Sequence, residues 1–291
     1  MKLSVIIPCY NAEDTIGIEL EALANQHWSE PWEVIVANNR STDNSMKVVE
    51  GYKNRLPNLR IVDASARQGQ AYARNVGVVY ALGETIAFCD ADDEVASGWV
   101  SAMGEALCEH DFVACKMETE KLNPPWLFAA IGMHSQRDGL QRISYPPYLH
   151  HAGGSTLGVK RSLHEAIGGF DETLPYLEDT DYCFRLQLAG VQLHFVPDAV
   201  IHIRLRDKLI SIYRQAYHWA EYNVKVYKKY HLLTGEEVPR PWRRYLYNWK
   251  RLLWQIPKVR RKKNFARLMW DLGWQGGLLL GSVKYGIHPV P

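Results

Sequence analysis

Phe88-Cys89-Asp90-Ala91-Asp92-Asp93 puts three carboxylates within four residues. Groups that close repel one another unless a cation or solvent intervenes. A hard divalent ion bridging carboxylate and diphosphate oxygens is one natural partner. An acidic turn capping the following helix is the other reading. A second acidic group lies in Tyr176-Leu-Glu-Asp-Thr-Asp181, which opens the helical pattern Tyr182-Cys-Phe-Arg-Leu. Glu178 and Asp179 fall at that helix's N-terminus, where the dipole favours an ionised carboxylate. They could serve as a proton acceptor in group transfer or simply as helix caps. Gly153-Gly-Ser-Thr156 stands ahead of an apolar run, and its paired glycines let backbone come close to a ligand; Gly154 is therefore a candidate for lining a bound ligand. His202 follows Phe195–Ile201 and is either a metal ligand or a structural histidine.

These groups need elements to hold them, and the first 115 residues supply a regular series. Apolar runs at Leu3–Ile7, Glu33–Ala37, Leu59–Asp63, Thr85–Cys89 and Phe112–Cys115 read as strands. Helical spacing falls between them, at Glu13–Gln26, Thr42–Tyr52, Gln70–Ala81 and Ser97–Glu109. That alternation predicts an α/β fold, a mostly parallel sheet flanked by helices. The segment 123–151, bracketed by prolines, is expected to be irregular. Strand signals return at Ser155–Val159 and Gln192–Val196, with helices at Ser162–Ile167 and Asp179–Ala189; only helices are expected from Asp207 on. Ligands of open α/β sheets bind beyond the carboxyl ends of the strands. There the chain offers Pro8, Cys9 and Tyr10, then Asn38 and Asn39, then Asp90 to Asp93. No glycine-rich dinucleotide loop and no phosphate-binding lysine loop follows the first strand, which disfavours a dehydrogenase and a P-loop ATPase.

Six stretches occur in order: Ser4-Val-Ile-Ile-Pro-Cys-Tyr-Asn11, Ser41-Thr-Asp43, Gly69-x-x-x-Ala73-Arg-Asn75-x-Gly77, Asp90-x-Asp92-Asp93, Gly168-Gly-Phe-Asp-Glu172 and Glu178-Asp179-x-Asp181. Over residues 3–203 the series resembles the family 2 glycosyltransferases, whose fold is of GT-A type. The resemblance implies an inverting transfer of sugar from a nucleoside-diphosphate sugar, UDP foremost, to a hydroxyl of a glycan or lipid-linked glycan, assisted by Mn²⁺ or Mg²⁺. By position it puts Asp90 on the ribose or base side and Asp92 on the metal, with Asp93 behind the metal or capping a helix. Pro8, Cys9 and Tyr10 match the segment around the base, Arg74 an arginine that helps hold the nucleotide, and His202 a third metal ligand found in some members. Asp179 matches the general base and Glu178 an acceptor-binding partner. One departure stands out: members commonly carry Asp-Asp where this chain has Asn38-Asn39. An amide both donates and accepts, so nucleotide binding survives the change while the base identity opens. A nucleotidyltransferase and a non-catalytic nucleotide-sugar-binding scaffold on the same fold are the alternatives.

Charge divides the 291 residues. Residues 1–203 hold 15 Lys+Arg against 27 Asp+Glu, and residues 204–291 hold 19 against 5. The same last 88 residues carry six of ten Trp and eight of sixteen Tyr. Two parts are expected: a catalytic domain over 1–203 and a basic, aromatic helical extension over 204–291. Cations interleaved with aromatics, as in Trp242–Trp254 and Lys258–Lys263, suit an anionic membrane surface; helical packing with a solvated basic face is the rival. A nucleic acid partner is not expected beside an acidic sugar-nucleotide site. Five cysteines without a C-x-x-C pair fit a reducing compartment. With no signal-like leader and no spanning segment read in the sequence, a cytoplasmic protein, peripheral on the inner face of the plasma membrane, is expected.

Overall fold

The computed structural model describes residues 1–132, 136–235 and 241–288, and the side chains there except at 234, 241, 242, 244 and 258. The side chains of Trp242, Arg244 and Lys258, part of the basic and aromatic series, thus lie outside the described residues.

In chain order the elements are β1 (Leu3–Cys9), α1 (Ile16–Ala24), β2 (Trp32–Asn38), α2 (Ser45–Glu50), β3 (Leu59–Asp63), α3 (Gln70–Val79), β4 (Thr85–Phe88), β5 (Glu94–Val95), α4 (Trp99–Glu109), β6 (Phe112–Glu118), α5 (Pro125–Ile131), β7 (Gln141–Arg142), β8 (His150–His151), β9 (Leu157–Lys160), α6 (Arg161–Ala166), α7 (Glu178–Leu188), β10 (Leu193–His202), α8 (Leu209–Thr234), α9 (Pro241–Gln255) and α10 (Lys262–Tyr285). The chain divides into two compact units, one of residues 1–122, 135–141 and 151–204, the other of 123–134, 142–150 and 205–291.

The first unit is built on an eight-stranded sheet of order β3-β2-β1-β4-β9-β6-β10-β5. The pairs β3-β2, β2-β1, β1-β4 and β6-β10 are parallel, whereas β9 runs antiparallel to both β4 and β6. The expected mostly parallel α/β sheet is therefore present, with one reversed strand inside it. That reversal has a functional result. It brings the residues leading into β9, Gly153–Thr156, to the edge where β1, β2, β4, β6 and β10 end. Nearly every residue of β1 and β2 is buried, because helices cover both faces. Ile16, Leu20 and Leu23 of α1 pack into the same core as Val5, Ile7, Val34 and Val36.

Local differences from the sequence reading have physical causes. The helix expected over 42–52 begins at Ser45, because residues 41–43 tie the two loops beyond β1 and β2 together. Ser41 Oγ accepts the Asn11 N–H at 3.2 Å, and Asp43 Oδ2 accepts the Glu13 N–H at 3.0 Å. The strand expected over 192–196 runs on to His202 through an irregularity between Val196 and Val200, which accommodates Pro197.

The second unit is helical. In it α8 and α10 lie against each other along a ladder of glycines, Gly273, Gly277 and Gly281, facing Tyr213, Tyr217 and Glu221. A Cβ at Gly273 or Gly277 would run into the Tyr213 or Tyr217 carbonyl. The segment 123–151 is less irregular than expected. Its α5 joins this unit, where Leu127 and Ala130 pack with Ile212 and Ala266. Tyr145 is buried against Val224 and Tyr227 and donates to Asn223 Oδ1 at 2.5 Å. No described helix is long and apolar enough to cross a membrane.

Candidate active site

The strand ends of the first unit gather the expected carboxylates around one buried arginine. Arg74 sits on α3, 1% exposed. Its Nη2 donates to Asp90 Oδ1 at 2.8 Å and its Nη1 to Glu178 Oε1 at 2.9 Å. The guanidinium also lies 5.4 Å from the Phe170 ring centroid. Its Nε has no partner among the described residues. The loop 90–93 and the first turn of α7, far apart in sequence, are thus joined through one cation. A fixed, delocalised charge with forked donors suits that task better than a lysine would.

Gly154 completes this arrangement for a steric reason. A Cβ there would stand 2.6 Å from Arg74 Nη1. Its N–H donates to Asp179 Oδ2 at 2.9 Å, while Asp179 Oδ1 accepts the Thr180 N–H at 2.7 Å. Asp179 is half-buried, so it is oriented and still reachable, whereas Glu178 is buried. Burial pushes the Glu178 carboxyl up, the neighbouring Asp179 charge adds to this, and Arg74 opposes it. Leu177, just ahead of them, has φ +59°, a left-handed conformation that a branched residue holds only when its surroundings enforce it.

Asp90, Asp92 and Asp93 offer carboxylate oxygens that all lie within 4.8 Å of one another. Asp90 is held on both oxygens, by Arg74 and by Gln70 Nε2 at 2.9 Å. Asp93 Oδ1 accepts the Arg204 N–H at 3.0 Å, and Arg204 Nε donates to the Asp92 carbonyl at 3.0 Å. Burial, with the charges of Asp92 and Asp90 behind it, holds the Asp93 carboxyl well above the usual range. Three hard oxygen donors gathered this closely fit a divalent cation. His202 is not in this group. Its Nδ1 is paired with Glu118 instead.

Around the other strand ends the expected residues divide. Tyr10 is 51% exposed beyond β1 and free to meet a planar ring. The Cys9 side chain turns into the core, where burial pushes its thiol up to about 11, so that residue can reach a ligand only through backbone. Pro8 is half-buried before it. Asn38 Oδ1 accepts the Ser41 N–H at 3.0 Å. Asn39 is buried and satisfied within the chain: its Nδ2 donates to the Ala64 and Arg67 carbonyls at 2.6 and 2.7 Å, and its Oδ1 accepts the Gly69 N–H at 2.8 Å.

Sequence reading passed over Gln70, Phe170 and Arg204, which orient the carboxylates without bearing the chemistry. Gln70 falls at an unspecified position of the stretch 69–77 and Phe170 within Gly168–Glu172, whereas Arg204 lies in neither; Asn75 fixes Phe170 by accepting its N–H at 2.8 Å and donating to its carbonyl at 2.9 Å.

A sequence model for "Glycosyl transferase family 2" matches residues 4–168, more than half the chain and a span that includes Arg74, Asp90, Asp92 and Asp93. The chain belongs to glycosyl transferase family 2. Among proteins similar to this family 2 member is an uncharacterized glycosyltransferase, YibD, of Escherichia coli, 37% identical over 131 residues, covering 45% of this chain and 36% of that protein. Another is the poly(ribitol-phosphate) beta-N-acetylglucosaminyltransferase TarS of Staphylococcus aureus, 35% identical over 122 residues, 40% of this chain and 21% of TarS. These matches span well under half the length of each relative. Residues 1–349 of TarS with UDP-GlcNAc superpose at a TM-score of 0.56 and 19% identity, covering 99% of this chain and 93% of that one. A Pyrobaculum calidifontis mannosyltransferase in complex with GDP-Man and Mn²⁺ superposes at 0.59 and 20% identity, covering 99% and 76%. At such identity the likeness speaks for the fold, and the fold is GT-A.

Proposed function

We propose that this family 2 protein is a glycosyltransferase that moves a sugar from a nucleoside-diphosphate sugar, a UDP-sugar first, to a hydroxyl of a glycan or lipid-linked glycan. The observation that carries the reading is the chain of contacts Asp90–Arg74–Glu178 with Asp179 beside it, held by the Gly154 N–H. It sets a nucleotide-side carboxylate and a candidate base in one rigid frame.

In this reading Tyr10 packs on the base, Asn38 meets its edge, and Asp90 faces the ribose. Asn39 acts from behind, by fixing the loop 64–69. Asp92 and Asp93 would hold Mn²⁺ or Mg²⁺. Such an ion, when bound, offsets the charge that builds on the departing diphosphate. Asp179 takes the proton of the acceptor hydroxyl. The freed oxygen pair attacks the anomeric carbon from the face opposite the nucleotide, and the bond from that carbon to the diphosphate oxygen breaks. One displacement inverts the configuration. Glu178, buried against Arg74, has the role of orienting the arginine; the acceptor meets Asp179 instead.

A second reading, a nucleotidyltransferase, would act on a nucleoside triphosphate and release pyrophosphate. The test is a panel of nucleotide sugars with Mn²⁺, scored for release of nucleoside diphosphate. Release from at least one donor is expected. Pyrophosphate from a triphosphate with a sugar phosphate, and no diphosphate from any donor, would replace the proposal with the second reading.

A further inference from the structure

Residues 238–270 contain eleven Lys and Arg and not one Asp or Glu. Within this stretch α9 presents two dissimilar faces. Leu252 is buried and Tyr245 packs into the cluster of Tyr145, Ala220 and Val224, so the inward side has its apolar partners. The outward side should be polar on a helix that merely covers a core. Instead Leu246, Tyr247, Leu253 and Trp254 are exposed there, Trp254 to 70%, interleaved with Lys250 and Arg251. The chain beyond α9 continues the pattern: Ile256 and Phe265 are exposed, as are Arg260, Arg261 and Lys263.

We propose that this face docks on an anionic lipid surface, with α9 lying in the plane of the headgroups. Three occupants compete for it, and the residues choose among them. A second copy paired symmetrically through this face would set cations against cations, with no acid in the stretch to neutralise them, and a copy offering its acidic residues 1–203 would meet the cations but leave the exposed leucines and Trp254 against charge. A nucleic acid would meet the cations but leave Leu246, Leu253 and Ile256 without apolar cover. A lipid surface satisfies both kinds of group at once. Tyr and Trp favour headgroup depth, leucines the acyl boundary, and cations the phosphate layer. The docking is one of lying on the bilayer, since no described helix can cross it. The inference rests on α9 and residues 256–265 and is independent of the proposed sugar transfer.

The experiment is flotation of the full chain with vesicles of phosphatidylcholine alone and of phosphatidylcholine mixed with phosphatidylglycerol. Binding to the anionic vesicles at low salt is expected, with little on the neutral ones. It should be released as salt rises, because the screening length drops from about 8 Å at physiological strength to about 3 Å at 1 M. The triple variant Lys250→Gln, Arg260→Gln, Lys263→Gln should lose about a hundredfold in apparent affinity, since each cation near such a surface contributes about a factor of five. The double variant Leu253→Ser, Trp254→Ser should weaken binding as well, at unchanged melting temperature. Equal binding to neutral and anionic vesicles overturns the proposal, and so does binding to neither. Single-stranded RNA bound as tightly as the anionic vesicles, or self-association abolished by the double variant, would assign the face to one of the other occupants.

Discussion

At position 39 an aspartate could not do what the asparagine does. Backbone carbonyls only accept and a backbone N–H only donates, so Ala64, Arg67 and Gly69 fix which end of the Asn39 amide points where. A carboxylate there would face two carbonyl oxygens in a buried site. Asn39→Asp is expected to cost about 3 kcal/mol, for an unmatched buried charge. A shifted denaturant midpoint measures it; an unchanged midpoint would mean that the loop 64–69 is held by other contacts. The sequence showed the departure at 38 and 39 but read both residues as meeting the nucleotide. For Asn39 the hydrogen-bond partners lie 25 to 30 residues away, and no local pattern encodes them. The residues that gather at the strand ends were more legible. Asp90, Arg74, Glu178 and Asp179 were singled out by motif spacing, and Gly154 by its paired glycines. That Arg74 lies at their centre could not be read, since three elements must first fold together.

Element α1 carries an inward carboxylate that its apolar spacing hides. Glu19 lies one residue before Leu20 and is fully buried. Its Oε2 accepts the Val95 N–H at 2.9 Å, and its Oε1 has no partner among the described residues. Burial pushes its carboxyl from the ordinary 4.5 up to about 7, against hydrogen bonds from Cys89 and Val95. The folded state therefore holds the proton more tightly than the unfolded chain. Stability is kept below about pH 4.5 and lost as pH rises towards about 7, by about 3 kcal/mol. Glu19→Gln removes that loss. A stability gap in favour of the variant should open between about pH 5 and pH 8, read by denaturant unfolding. A gap that stays constant would mean that Glu19 ionises as it would in water. In α10 the deciding residues are glycines. Residues 265–283 are largely apolar but interrupted by Gly273, Gly276, Gly277 and Gly281, and in the fold the glycines let α10 settle on α8. Gly277→Ala must push the helices apart at Tyr217, for roughly 1–3 kcal/mol of overpacking cost. Unaltered thermal stability of this variant would contradict that close approach. Strand order was less legible than strand existence. The reversed β9 and the two-residue β5 are set by long-range pairing and leave no periodic mark.

Across the whole molecule charge divides, between an acidic part that gathers carboxylates and a basic, aromatic part that carries the face proposed to dock on lipid. The boundary near residue 204 follows from that charge shift. The joining of 123–134 and 142–150 to the helical unit does not, because it depends on buried contacts of Leu127 and Tyr145. The central claim is that Asp179 activates an acceptor for sugar transfer from a nucleotide sugar held by the frame around Arg74. Its most direct test is turnover by Asp179→Asn beside the unaltered protein, with the donor that the panel identifies and Mn²⁺ present. General-base loss should lower kcat by about 10²–10⁴ while the donor KM and the melting temperature hold steady. A variant that keeps more than about half of the original turnover would contradict the claim and move the base elsewhere.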